Sequence, residues 1–145
     1  MAAALLRLGV PLKVTNTVAG YRIIFIATTF IEYFLRAQES YRREPLTVHW
    51  MQTYVQQDDI VYDIGANVGA YSLFLGKIVS TGAGVVYAFE PESSNFHSLN
   101  NNIVANGLTG KVIPYPVALG DRLRVGKLFL SSTVTGSALH RADAP

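Results

Sequence analysis

The stretch "VYDIGANVGAYSLFLGKIV", residues 61–79, changes its periodicity halfway along. Its first residues are apolar and β-branched, as in a strand, and its second half repeats apolar residues at helical spacing. Between the halves lie a carboxylate, two glycines and an asparagine, namely Asp63, Gly65, Gly69 and Asn67. Glycine lets a backbone approach a ligand without an intervening Cβ, and asparagine is one of the few other residues that adopt positive φ. The stretch therefore predicts a strand-to-helix turn that contacts a ligand.

Strands and helices alternate after this point. "DDIVYDIG" is almost continuously apolar, which is typical of a strand covered on both faces, and "VVYAFEP" and "KVIPYPVAL" read as two further strands. Pro114 and Pro116 lack a backbone donor, which predicts the third strand at a sheet edge. The intervening helix should follow an N-cap at Ser93 or Ser94 and expose residues 100–102. This order predicts an α/β fold with a doubly wound parallel sheet, whose ligands bind at the carboxyl ends of the strands.

The chain before the sheet reads as a helical extension over residues 1–45, followed by the main domain over residues 46–145. "YRIIFIATTFIEYFLRAQ" predicts a helix with Glu32 and Arg36 at i, i+4, although its β-branched residues leave a strand open for "RIIFI". Its uncharged run is too short to span a membrane. We favour a segment packed on the domain. The alternative is a membrane-surface or self-association contact through residues 18–37.

Composition limits the classes of function. The 145 residues carry 12 basic and 10 acidic side chains, a net charge of +2, and no cysteine. Because the basic residues are too few and too scattered to form a cluster, we expect no nucleic-acid partner. The absence of cysteine excludes thiolate metal sites and is consistent with a cytoplasmic protein. The histidines His49, His97 and His140 have no metal-ligand spacing, so no metal is predicted.

Glu90 ends the second strand and indicates the ligand class. In a βαβ unit this position places a carboxylate beside the ribose of a nucleotide-like ligand. A nicotinamide cofactor needs G-x-G-x-x-G, but residues 65–70 read G-A-N-V-G-A. S-adenosylmethionine has no phosphates and carries an amine and a sulfonium, which suit the carboxylate of Asp63. The charge pattern therefore favours S-adenosylmethionine over NAD.

Three segments together resemble a known family. "VYDIGANVGAYSLFLGK", "VYAFEPESSNFHSLNNNIVANGL" and "VIPYPVALGD" strongly resemble the FkbM family of S-adenosylmethionine-dependent methyltransferases. The resemblance covers residues 58 to about 140. It implies a Rossmann-like class I methyltransferase fold and O-methylation of a hydroxyl on a sugar, a polyketide or another small metabolite.

The resemblance also implies the cofactor-binding residues. The methionine side is a loop formed by Asp63, Gly65, Ala66, Asn67 and Gly69. Glu90 binds the ribose, and the adenine lies among Pro91, Glu92, Val117 and Ala118. No catalytic base can be named, although His140 is the first candidate among the histidines because it lies in a polar stretch.

One family feature is missing from the chain. An acidic strand end resembling I-D-V-E-G is expected after residue 145, so the chain is expected to be the N-terminal part of a domain, inactive in methyl transfer by itself. Two other functions stay open. The chain could be a binding module that keeps the fold without the chemistry, or, less favoured because of Asn67, an NAD-dependent oxidoreductase.

Overall fold

The computed structural model describes residues 1–138 and the backbone of residues 141–142. After a short helix, α1 (Ala2–Arg7), the chain forms an antiparallel hairpin of β1 (Leu12–Val18) and β2 (Tyr21–Ala27). Ala19 and Gly20 join the strands, both at positive φ (51° and 85°). Two such residues match the twist of the paired strands, which is why this turn is common in hairpins.

The helix predicted from residue 21 onward is therefore wrong over its first part, and the strand left open for "RIIFI" is confirmed. Pairing with β1 across a two-residue turn outweighs the helical spacing of the apolar residues. After the hairpin, helical structure resumes with a π-helix (Ile31–Glu39), followed by α2 (Ser40–Arg43) and α3 (Pro45–Tyr54). α3 starts with proline, a residue suited to the first helical position because it needs no N–H partner there.

Three parallel strands form the main sheet, in the order β3 (Ile60–Ile64), β4 (Val85–Phe89) and β5 (Val112–Tyr115). Helix α4 (Ala70–Val79) connects β3 to β4, and helix α5 (Ser93–Ala105) connects β4 to β5. The predicted alternation of strands and helices is confirmed. So is the edge position of β5, the strand that contains proline.

One hydrophobic core joins the hairpin to the sheet. Helices α4 and α5 contact the sheet on one side and β2 on the other. Phe25 and Tyr41, which precede residue 45, belong to the same buried cluster as Leu73, Phe74 and Leu99. The division into segments 1–45 and 46–145 stays a prediction, with residues from both segments in this core.

Two asparagines of the α5 region fix β2 to the helix layer. The Asn102 side chain accepts a hydrogen bond from the Ile26 N–H (2.8 Å), and the Asn106 side chain bonds both the N–H and the carbonyl of Ile24 (2.9 and 2.7 Å). Amide groups can satisfy a strand edge in this way because they contain both a donor and an acceptor. The predicted solvated face at residues 100–102 is wrong for Asn102, which is 1% exposed.

The segment proposed for a membrane or a partner is largely inside the protein. Its residues Ile23, Phe25 and Ala37 are fully buried, whereas Phe30 and Phe34 are exposed. The expectation that this segment packs on the domain is confirmed, because its apolar side faces the core. Within the described residues, no helix combines the length and the apolar composition needed to cross a membrane.

The other face of the parallel sheet is open. Ile60, Tyr62 and Ile64 of β3 are 62%, 62% and 66% exposed. The Tyr62 ring stacks on Phe89 and the Phe89 ring on Tyr115, with centroids 6.1 and 5.4 Å apart. The apolar run of β3 is typical of a strand covered on both faces, but one face is uncovered in the described chain, because α4 and α5 both pack on the other side.

After β5 the chain becomes an exposed loop. Residues 116–127 are all exposed, and they lead to β6 (Leu128–Phe129), which pairs antiparallel with β7 (Arg141–Ala142). The loop starts at the carboxyl end of β5, so it lies at the same edge of the sheet as the turns that follow β3 and β4.

Candidate functional site

The loop after β3 has the backbone geometry that its glycines indicate. Gly65, Asn67 and Gly69 all have positive φ (81°, 52° and 95°). The N–H groups of Gly65 and Ala66 donate to the Phe89 carbonyl (2.9 and 3.0 Å), which fixes the loop against β4. The turn predicted between strand and helix is therefore present as a rigid loop.

The two glycines of this loop have different surroundings. A Cβ on Gly65 would meet no atom within 4 Å, so space is open beside it. A Cβ on Gly69 would lie 2.6 Å from Leu99 Cδ1, so Gly69 lets α4 approach α5 closely. Gly65 thus leaves room for a ligand, whereas Gly69 serves packing at the start of α4.

Glu90 connects the loops after β3 and β4. Its side chain is buried, at 4% exposure. One carboxylate oxygen accepts from the Asn67 N–H (2.8 Å) and the other from the Glu92 N–H (2.9 Å). A carboxylate offers about four acceptor positions, so each oxygen keeps capacity for another donor.

Asn67 presents an unpaired acceptor at the same place. Its Nδ2 donates to the Ser137 carbonyl (2.6 Å), but its Oδ1 is buried and has no partner within the described part of the chain. An unsatisfied buried acceptor costs about 1–3 kcal/mol, so such atoms usually bind a water molecule, an ion or a ligand. A ligand donor next to Glu90 would satisfy it.

Asp63 ends β3 beside the first turn of α4. Ser72 Oγ donates to its carboxylate (2.5 Å). Burial raises the pKa of Asp63, the Ser72 hydrogen bonds lower it, and the nearby Glu90 carboxylate raises it further. The site therefore brings together two carboxylates that favour a cationic ligand group. Ser72 stands in the resembling motif, but it had no predicted role.

Glu92 has a structural role that the sequence assigned elsewhere. Its carboxylate accepts from the N–H groups of Ser94 (3.0 Å) and Asn95 (2.7 Å), which makes it the N-cap of α5. The prediction of Ser93 or Ser94 as N-cap is wrong by one or two positions, since a glutamate preceding the helix reaches both amides. The predicted contact between Glu92 and adenine stays a prediction.

A cavity of about 380 Å³ lies where the sequence predicts the adenine side. Pro91, Val117 and Ala118 line it together with residues of the exposed loop after β5. Val117 is itself 45% exposed. Three of the four residues predicted for this side, Pro91, Val117 and Ala118, therefore line one cavity at the carboxyl-terminal edge of the sheet, whereas Glu92 does not line it.

The candidate bases lie elsewhere or outside the structure. His49 is exposed on α3, and His97 is exposed on α5 with a ring nitrogen 3.0 Å from the Asn101 amide nitrogen. His140 lies outside the described residues. In the described part of the chain, no group of three His, Cys, Asp or Glu side chains could bind a metal ion.

Several residues at the site have no signal in the local sequence. Asn102 donates to the Val68 carbonyl (2.9 Å) and supports the loop from behind. Arg36 donates through Nε to the Gly136 carbonyl (2.7 Å), and Asn95 bonds the same segment (Gly136 N–H, 2.7 Å). The partners are 34 to 100 residues apart in sequence, so periodicity could not have shown the contacts.

The comparisons with known proteins give the fold. No model of a known protein family matches the chain, and no curated protein matches it. Among solved structures, it is similar to M. jannaschii TYW2 in complex with AdoMet, with 22% identity over 70% of this chain and 42% of that one, at a TM-score of 0.51. It is also similar to aTrm5 in its complex with tRNALeu, with 24% identity over 72% and 28% and a TM-score of 0.51.

These likenesses correct one expectation about partners. The scattered basic residues predict no nucleic-acid partner, yet aTrm5, a protein that shares this fold, is solved with tRNALeu. The exclusion is wrong, because a small net charge on one domain does not determine what a protein of this fold binds. The chain spans 42% and 28% of the two proteins' lengths. What they establish for this chain is its architecture, a Rossmann-like fold of the class I methyltransferase type.

Proposed function

We propose that this chain is the cofactor-binding part of an S-adenosylmethionine-dependent methyltransferase, with the cofactor at the loops after β3, β4 and β5. One observation carries the proposal. The buried Glu90 carboxylate at the end of β4 is joined to the Asn67 N–H, beside the unpaired Asn67 Oδ1. An acidic group at this position suits the two hydroxyls of a ribose.

The surrounding residues fit the other parts of this cofactor. Gly65 leaves open space where the cofactor would pass the backbone. Asp63 would attract the amine of the methionine part, and its raised pKa supports this role because a nearby cation would stabilise the ionised form. Pro91, Val117 and Ala118 would contribute apolar contacts to the adenine ring in the cavity that they line.

The same charges disfavour a dinucleotide. A pyrophosphate at this loop would meet the carboxylate of Asp63, which lies close enough to Glu90 for that second carboxylate to raise the pKa of Asp63. Asn67 also stands where the nicotinamide-binding pattern has its second glycine. These observations support S-adenosylmethionine over NAD.

When bound, S-adenosylmethionine supplies a methyl group on a sulfonium, which makes that methyl electrophilic. The residues of this chain contribute mainly orientation, which can supply roughly 7–11 kcal/mol of a barrier in favourable cases. Glu90 would fix the ribose and Asp63 the amine. With both ends fixed, the methyl group points in one direction.

The methyl acceptor belongs to the proposal as well. We infer O-methylation of a hydroxyl on a sugar, a polyketide or another small metabolite, because the D-I-G-A-N-x-G-x-x-S and F-E-P motifs resemble those of the FkbM family. No family model supports that assignment. Methyl-transfer assays should therefore include RNA transcripts beside the hydroxyl acceptors, and methylation of RNA alone would replace the small-molecule acceptor in the proposal.

Calorimetric titration of the full chain tests the cofactor. S-adenosylmethionine and its product S-adenosylhomocysteine should bind at the same site, and NAD should bind at least tenfold more weakly or not at all. Competition between the first two ligands checks that they share the site. NAD binding that equals or exceeds S-adenosylmethionine binding would contradict the proposal, and so would the absence of binding by all three.

A further inference from the structure

Arg36 is a half-buried cation with unused donors. It lies on the π-helix, and its Nε donates to the Gly136 carbonyl (2.7 Å). Its two terminal nitrogens have no hydrogen bond or ion pair within the described residues. A guanidinium has five donors in a fixed fork, so most of its binding capacity is free.

The expected partner of Arg36 is engaged elsewhere. At i, i+4 on a regular helix, Glu32 would pair with Arg36, but the π-helix changes this spacing. The Glu32 carboxylate instead accepts from the N–H groups of Thr28 (2.8 Å) and Thr29 (3.0 Å). Arg36 is therefore available to a group from outside its own helix.

A short segment connects Arg36 to the cofactor loop. The Gly136 carbonyl accepts from Arg36, and the next carbonyl, that of Ser137, accepts from the side chains of Asn67 (2.6 Å) and Asn95 (3.2 Å). Arg36 and Asn67 thus bond adjacent carbonyls of one segment. This places the guanidinium beside the loop, although it comes from the N-terminal part of the chain.

The electrostatics agree with this placement. Burial lowers the pKa of Arg36, while the nearby Tyr71 and Glu90 raise it. Because the ordinary pKa of an arginine lies far above neutral pH, the group stays cationic at neutral pH. Burial raises the pKa of Tyr71, on the first turn of α4, the carboxylates of Glu44 and Asp63 raise it further, and Arg36 lowers it, so Arg36 and Asp63 both lie near this ring.

We propose that Arg36 binds the carboxylate of the methionine part of the cofactor; this inference rests on the proposed function. The two carboxylates of Asp63 and Glu90 suit the amine and the ribose but would repel a third carboxylate. A guanidinium can bind that carboxylate through two parallel hydrogen bonds. The amino-acid end of the cofactor then has one partner of each charge.

Two ligands that differ only in this carboxylate test the assignment. S-adenosylhomocysteine carries it, and its decarboxylated analogue, S-adenosyl-3-thiopropylamine, does not. The unaltered chain should bind the first more tightly. Arg36→Gln should weaken S-adenosylhomocysteine binding at least about tenfold, the cost of a charged hydrogen bond, and leave binding of the analogue within about twofold.

Controls separate this role from a structural one. Arg42→Gln, at an exposed position on α2, should change neither affinity. Arg36→Lys keeps the charge without the fork and should retain part of the preference for the carboxylate. It also provides the test if Arg36→Gln melts before it can be titrated. Equal loss for both ligands would overturn the assignment, whereas an unaltered chain that binds neither ligand would refute the proposed function instead.

Discussion

The two sides of the candidate site differ in how they are built. On the methionine and ribose side, Glu90 is 4% exposed and bonds two backbone N–H groups, one of them that of Asn67. On the adenine side, Val117 is 45% and Leu123 105% exposed, in a loop exposed throughout residues 116–127. One side is formed by the fold itself, and the other is a surface loop.

This difference has an energetic consequence for binding. Groups already fixed by hydrogen bonds lose little entropy when a ligand binds, whereas ordering an exposed side chain costs about 0.5–1.5 kcal/mol. Equal contacts should therefore contribute more affinity at Glu90 than at Val117. The fixed side also provides the charged groups, so we expect it to dominate both affinity and ligand choice.

The largest expected effect comes from removing Glu90. Glu90→Ala would delete the two charge-assisted hydrogen bonds that we propose to the ribose, each worth about 1.5–3 kcal/mol, so S-adenosylhomocysteine should bind at least tenfold more weakly. Val117→Ser, on the adenine side, should change the affinity by less than about tenfold because it removes only part of an exposed apolar contact. Calorimetric titration of both variants measures the contrast.

Stability measurements must accompany this titration. Glu90→Ala also leaves the N–H groups of Asn67 and Glu92 without their acceptor, at about 1–3 kcal/mol for each that stays buried. Glu90→Gln keeps one acceptor oxygen and serves as the milder variant. If folded Glu90 variants bind as tightly as the unaltered chain, Glu90 acts only as a connection between the two loops.

A glycine from each side gives a smaller contrast, measured as the change in the free energy of unfolding when the glycine is replaced by alanine. Gly69→Ala places a Cβ 2.6 Å from Leu99 Cδ1 at a φ of 95°, so it should lower the free energy of unfolding by about 2–4 kcal/mol. Gly120→Ala adds a Cβ that meets no atom within 4 Å and should stay within about 1 kcal/mol of the unaltered chain. Urea denaturation gives both values.

An intermediate control refines this comparison. Gly65 has a positive φ, as Gly69 does, but no atom lies within 4 Å of the Cβ that alanine would add. Gly65→Ala should therefore lower the free energy of unfolding by about 1–2 kcal/mol, a value between those of the other two variants. If Gly69→Ala lowers the free energy of unfolding no more than Gly120→Ala does, then α4 and α5 can move apart to admit a Cβ, and Gly69 is not required for their packing.

The sequence predicted the local parts of this architecture. The loop from Asp63 to Gly69 is contained in one stretch, so its carboxylate, glycines and following helix could be recognised together. The edge position of β5 followed from proline, which lacks a donor wherever it stands. The hairpin was missed because Ala19 and Gly20 are a weak turn signal, and the apolar residues of β2 also fit a helix.

The remaining parts depend on contacts between distant residues. The Arg36–Gly136 bond spans 100 residues and the Asn67–Ser137 bond 70, and neither segment carries a pattern of its own. Asn102 stands in a polar run typical of a solvated helix face, and only the position of β2 buries it. For the same reason, the apolar sequence around Tyr62 does not indicate which face of the strand is covered.

The smallest expected effect is a pH dependence of the free energy of unfolding, which tests the charge of the Asp63 carboxylate. Burial, with a further contribution from Glu90, raises the pKa of Asp63 in the folded state. Ionising Asp63 therefore costs more in the folded chain than in the unfolded one. The free energy of unfolding should decrease as the pH rises from the pKa of Asp63 in the unfolded chain, about 3.9, to its raised pKa in the folded chain. Above that pH the decrease should remain constant.

Asp63→Asn removes this cost while its amide oxygen can still accept from Ser72. The variant's stability relative to the unaltered chain should therefore increase between pH 3 and pH 7, as measured by urea denaturation at each pH. Asp121→Asn, at an exposed position in the loop after β5, corrects for the loss of one negative charge. A relative stability that decreases toward pH 7 would mean that the fold stabilises the carboxylate. The ionised Asp63 carboxylate would then not be destabilised in the folded chain, and a cationic ligand would have no such cost to reduce. The proposed role of Asp63 toward the methionine amine would lose its physical basis.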